Sequence, residues 1–136
     1  MKKIYSLLFA LCSLTGFSQS YDYTVYDTTN SAIGTNYIAD IKTDANGLLW
    51  LSTTNGVVTF NGTTFTKYNT SNSGIPSNII LETEIDGQGR KWMATQNNGI
   101  ALLNGSTWTN YTTANSGLPN NAITCIAVDS SNNLWA

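Results

Sequence analysis

The chain repeats itself every 42 to 43 residues, and that period limits its possible folds more than any other feature. Trp50, Trp92 and Trp135 each follow an acidic residue, Asp44, Asp86 and Asp129, by six positions. Tyr26, Tyr68 and Tyr111 run in register with them, each followed twelve residues later by Ile38, Ile80 or Ile123. The stretch from Asn61 to Asn78 matches Asn104 to Asn121 throughout. A period near 42 with strand-like content predicts an all-β array of the β-propeller type, in which each unit is a blade that buries its faces on its neighbours.

Each unit reads as four short antiparallel strands. In the first, these are Ile38–Thr43, Leu48–Thr53, Gly56–Phe60 and Thr63–Tyr68, separated by turns at Asp44–Gly47, Thr54–Asn55 and Asn61–Gly62. Asn61-Gly62 and Asn104-Gly105 suit two-residue hairpin turns that need positive φ. Asp44, Asp86 and Asp129 can accept N–H bonds within their own turns, with Gly47, Gly89 and Asn132 at the left-handed position. The strands Leu48–Leu51, Val57–Val58 and Ile100–Leu103 are apolar on successive residues, so both faces should be buried, as in sheets stacked face to face. Ser73–Pro76 and Ser116–Pro119 would connect the blades. No window keeps a helical apolar period.

Residues 1–18 read as a secretory signal: a basic start at Lys2-Lys3, an apolar run from Ile4 to Phe17, and small residues at Gly16 and Ser18. The run is short for a span of ~20 residues, so no membrane span is expected in this chain. Residues 19–136 then form a partial propeller. Residues 21–26 would be a stray outer strand, 38–68 and 80–111 two blades, and 123–136 a truncated half blade. That inventory falls short of the roughly four to eight blades of a ring. The missing blades would come from the rest of a longer chain, the plainer reading, or from self-association. The product would be exported, to the periplasm, the cell surface or the medium.

Without the signal, four basic residues face eight acidic ones, a net charge of −4, which argues against nucleic acid as partner. The chain has no histidine, and Cys125 is the one cysteine left, so a disulfide within the chain and the histidine-based nucleophile systems are closed to it. Carboxylates remain. Asp40, Glu82 and Glu84 fall on first strands near the axis of a ring, where they either line a wet channel or act as acid and base; the former is the expectation, and no catalytic residue is assigned. The turns at Asp44 and Asp86 resemble pieces of calcium loops but hold one carboxylate each, so neither metal nor cofactor is expected. Trp108, Tyr68 and Tyr111, on outer strands, are the candidates for stacking on a sugar, although packing on the next blade explains them as well.

The pattern Ile41-Lys-Thr-Asp-Ala-Asn-Gly-Leu-Leu-Trp-Leu-Ser-Thr-Thr-Asn-Gly-Val57 resembles the two-component regulator propeller repeat. Its marks are Asp44, Gly47 and Trp50 in the first unit, Asp86, Gly89 and Trp92 in the second, and Asp129 and Trp135 in the third. Three departures stand out: Ser52 and Ala94 differ at one small-residue position, Thr83 replaces an apolar residue, and Arg90-Lys91 replaces Leu48-Leu49. The second unit is therefore expected to pack less tightly than the first. The resemblance implies the exported sensor half of a hybrid histidine kinase, often from Bacteroidetes, associated with recognising polysaccharide fragments. Secreted proteins with a sorting domain also carry such repeats. The function expected is thus ligand-binding sensing, with an oligosaccharide as partner. The alternatives are a cell-surface adhesin or structural module with a surface protein as partner and, more weakly, a lyase or hydrolase using the channel carboxylates.

Overall fold

The computed structural model describes residues 23–136; the signal segment 1–18, Tyr21 and Asp22 lie outside the described residues. Ten strands follow one another: β1 Ile38–Thr43, β2 Leu49–Thr53, β3 Gly56–Phe60, β4 Phe65–Tyr68, β5 Ile80–Ile85, β6 Lys91–Thr95, β7 Ile100–Asn104, β8 Thr107–Tyr111, β9 Ala127–Val128 and β10 Leu134–Trp135. Strands β1–β4 form one antiparallel sheet in chain order, β5–β8 a second, and β9 and β10 a short pair. Each four-stranded sheet is a meander, the simplest result when strands of four to six residues are joined by tight turns.

The unbroken apolar runs bury both faces. Along β2 and β3, Trp50 and Val57 point into the core between the first two sheets, with Ile75, Ile80, Met93, Ala101 and Leu103. Their neighbours Leu51 and Val58 point the other way, into a cluster with Ile33. Ala94 and Ile100 form a third cluster with Ile123 and Ile126 of the last unit. Val57, Val58, Ile80 and Met93 are inaccessible to water, each contributing about 1.5–3 kcal/mol relative to exposure.

Glycine is required where backbones close up. Gly56 and Gly99 have φ of 100° and 76°, and a Cβ on either would stand about 2 Å from the carbonyl oxygen of Tyr68 or Tyr111. The Asp turns form as the sequence predicts, with φ of 80°, 76° and 63° at Gly47, Gly89 and Asn132. The Asn-Gly turns differ: only the glycines, Gly62 and Gly105, take positive φ. The Asn61 side chain instead accepts the N–H groups of Thr63 and Thr64, which holds its own backbone out of the left-handed region.

The blade connections explain the asparagine content. In the second, the Asn72 amide oxygen accepts from Asn69 N–H (2.8 Å), its nitrogen donates to Lys67 O (2.9 Å), and Asn78 accepts from Thr70 N–H (2.9 Å). Asn115 and Asn121 repeat this geometry, and so do Asn30 and Asn36. Residues 27–36 are therefore a third copy of the connection, with Gly34 where the others have Pro76 and Pro119.

Residues 23–26 lie in no ladder among the described residues, and Tyr26 rests on Phe60 and Phe65. One expectation is corrected: the second unit is not loosely packed. Thr83 is fully buried and shares a 2.8 Å hydrogen bond with Ser52 across the sheets, so two of the departures satisfy each other.

Candidate functional site

The six-residue spacing of Asp and Trp has a direct cause. Asp44 Oδ1 accepts the N–H groups of Asn46 and Leu48, and its Oδ2 accepts the Trp50 indole N–H at 3.2 Å. Asp86 does the same with Gln88, Arg90 and Trp92, and Asp129 with Ser131, Asn133 and Trp135. One carboxylate thus shapes the turn and fixes the indole ring, which in the first unit fills the core between sheets. Sequence reasoning found the turn bonds and missed the indole bond, although the constant spacing signalled it.

These carboxyl groups ionise more readily than usual. Burial opposes ionisation at Asp44, but the bonds from Asn46, Trp50 and Leu48 and the charge of Lys91 outweigh it. At Asp86 burial is likewise outweighed, by Trp92, Arg90 and Gln88. Asp129, held first by the Asn133 side chain and then by Asn133 N–H and the Trp135 indole, is lowered to about 2. Both oxygens of each carboxylate are engaged by N–H donors of the turn and the indole.

The first-strand carboxylates reach across blades. Asp40 Oδ2 accepts the N–H of Thr83 at 3.1 Å, and Glu82 Oε2 accepts that of Ile126 at 2.6 Å. Glu84 pairs with Lys42 at 2.8 Å. Asp40 and Glu82 are repeat equivalents, so one device recurs at both interfaces; the third equivalent is Cys125, which is exposed. The expectation that Asp40, Glu82 and Glu84 line a channel missed these partners, which lie in other units.

Of the basic pair, Arg90 stays within its own unit and Lys91 crosses the interface. Arg90 pairs with Asp86 and lies 5.3 Å over the Trp92 ring. Lys91 reaches back to the first blade, 3.4 Å from Asp44 and 4.9 Å over Trp50. Cations over indole faces are attractive while their stems cover apolar surface.

The outer-strand aromatics are brought together, but with one another. Tyr68 stacks on Trp50 at 6.1 Å and meets Trp108 of the next blade at 6.2 Å. Trp108 also closes over Gly74, whose carbonyl accepts from Asn110 at 3.2 Å. Tyr111 tilts against Trp92 at 5.9 Å and lines a cleft of about 500 Å³ with Gly117, Leu118, Leu134 and Trp135.

Four-stranded antiparallel meanders stacked face to face, with side chains repeating across each interface, define a β-propeller, here in incomplete form. The family model described as two component regulator propeller matches residues 117–136. Among solved structures, the chain is similar to the extracellular domain of BT3049, a hybrid two component system of B. thetaiotaomicron, at 29% identity over 74% of this chain and 15% of that one, with a TM-score of 0.64. It is also similar to PorZ, an essential surface component of the type-IX secretion system of Porphyromonas gingivalis, at 22% identity over 81% of this chain and 17% of that one, with a TM-score of 0.62. Residues 117–136 thus match that family's repeat, and the chain spans less than a fifth of the length of either structure. No curated protein matches it. Among the described residues no helix is long and apolar enough to cross a membrane.

Proposed function

We propose that this chain is part of an exported, non-enzymatic propeller that recognises an extracellular ligand, a glycan, on behalf of a sensor protein. The observation that carries the reading is the likeness to the extracellular domain of a hybrid two component system over 74% of the chain. The signal-like residues 1–18 and a surface solubilised by Asn, Thr and Ser support it. Amides and hydroxyls at the blade ends supply the neutral donors and acceptors that sugars meet. A non-enzymatic reading is supported by Asp40 and Glu82, each engaged by a backbone N–H of the next blade, a structural role that accounts for both carboxylates without catalysis.

Tyr68 and Trp108 are packed between blades, so the loops at the blade ends are the better surface for a ligand. The test is tryptophan fluorescence and calorimetry of the exported chain against a panel of neutral and acidic oligosaccharides. A saturable response to one sugar class is expected. No response to any of them would overturn the glycan reading and leave a module with a protein partner.

A further inference from the structure

Asparagine is followed by glycine five times in this sequence, at Asn46-Gly47, Asn55-Gly56, Asn61-Gly62, Asn98-Gly99 and Asn104-Gly105. Such a pair is open to attack within the chain, because glycine has no side chain to block the approach of its nitrogen to the asparagine Cγ. In that reaction the glycine nitrogen bonds to Cγ, and its proton leaves with the side-chain NH2 as ammonia. A cyclic succinimide remains. Water then opens the ring at either carbonyl, giving aspartate, or isoaspartate, in which the main chain runs through the former side chain. Water is the sole co-reactant, and nothing is oxidised or reduced.

Three of the five pairs are closed by the fold. Gly47 N–H donates to Asp44 O at 2.9 Å, Gly56 N–H to Asn78 O at 2.7 Å and Gly99 N–H to Asn121 O at 2.8 Å. Gly56 and Gly99 are also pressed against the carbonyl oxygens of Tyr68 and Tyr111, which leaves their backbone no room to turn. Each of these nitrogens is released only when its turn opens, so its reaction is slowed by the free energy of that opening.

The two hairpin tips are different. Among the described residues the N–H groups of Gly62 and Gly105 donate to no carbonyl, both glycines are exposed, and a Cβ on either would meet nothing within 4 Å. Water therefore reaches both. The tips are nearly identical in sequence, Asn-Gly-Thr-Thr and Asn-Gly-Ser-Thr, yet their asparagines are held differently. Asn61 Oδ1 accepts from Thr63 N–H at 3.0 Å, from the Thr63 hydroxyl at 3.0 Å and from Thr64 N–H at 2.8 Å, so its amide is tied to residues beyond the glycine. Asn104 has no such bonds among the described residues. Strand β7 runs to Asn104 itself, which faces Thr107 as the last pair of the ladder before the turn. Its side chain is free to swing onto Gly105 N, and the end of a ladder is where opening costs least.

We propose that Asn104 is a site of spontaneous covalent modification in the folded protein, converted through the succinimide by Gly105 N and water, while the fold protects the other four pairs. Both products place a new carboxylate at the tip of the β7–β8 hairpin, and isoaspartate adds a methylene to its main chain. Strand β8 carries Trp108, so the change falls on the hairpin whose indole meets Tyr68 of the first blade.

The test is ageing of the folded protein in mildly alkaline buffer, followed by isoelectric focusing and by peptide mapping with mass spectrometry that separates aspartate from isoaspartate. Acidic species are expected to appear with the new charge at Asn104, ahead of Asn61 by about tenfold or more, because the bonds to the Asn61 amide must break first. Asn46, Asn55 and Asn98 are expected to be slower still. In guanidinium chloride, where no fold distinguishes them, all five are expected to convert at similar rates. Asn104→Gln, whose longer side chain closes the ring poorly, is expected to keep the wild-type β circular dichroism and to lose the early acidic species. Conversion of any other pair as fast as Asn104 in the folded protein, the same preference for Asn104 after unfolding, undiminished acidic species in Asn104→Gln, or an Asn104 that stays intact in the folded protein while the unfolded chain converts would each overturn the assignment.

Discussion

Asp86 has its side chain fully buried, with bonds to two turn N–H groups, the Trp92 indole and the Arg90 guanidinium. Replacing it by alanine orphans the turn and the ring together, and Asp86→Ala is expected to lose about 3 kcal/mol in urea denaturation. Gly99→Ala should lose a similar ~3 kcal/mol or more, from a Cβ 1.9 Å from Tyr111 O at a φ of 76°. Acid tests the Asp turns as a set. Asp44, Asp86 and Asp129 have folded-state pKa values below the ordinary 3.8, so on acidification the folded state binds fewer protons than the unfolded chain. Their contribution is complete above about pH 4 and is lost as pH falls toward 2, which thermal melts across that range would record. Asp44, Trp50 and their repeats were legible because the period exposed them. The bond between them was not, because a sequence gives spacing and not the direction of an indole N–H.

Interfaces between blades use matched side chains, and this is where single-residue reading failed. Ser52 and Thr83 face each other as a hydrogen-bonded pair at the first interface; their equivalents at the second are Ala94 and Ile126, both in the apolar cluster there. Read along the chain, Thr83 is a polar residue in an apolar position. Read across the stack, it is half of a pair. Ser52→Ala or Thr83→Val alone should each cost about 1–3 kcal/mol by leaving a buried hydroxyl unpaired, whereas the double substitution should return to within about 1 kcal/mol of wild type. A double-mutant cycle in urea measures this directly. The bonds of Asp40 and Glu82 were not legible for a related reason, since their partners Thr83 and Ile126 are 43 and 44 residues away. The third connection, residues 27–36, was readable from Asn30, Ser31 and Asn36, but Gly34 hid it by replacing the proline that marks the other two.

At the scale of the whole molecule, the stack is quasi-one-dimensional: adjacent units are held by one carboxylate and a shared apolar cluster at both interfaces, and by the Trp108–Tyr68 contact at the first. The class of fold was legible because the period fixed four strands per unit and two buried faces. The central claim is that the first-strand carboxylates are staples between blades and not free groups lining a channel. Amide hydrogen exchange by nuclear magnetic resonance tests it most directly, at Thr83 and Ile126 in the wild type and in Asp40→Ala and Glu82→Ala. Both amides should be protected in the wild type, with protection lost at Thr83 alone in the first variant and at Ile126 alone in the second. Amides that exchange freely in the wild type, or that stay protected when their carboxylate is removed, would contradict the account.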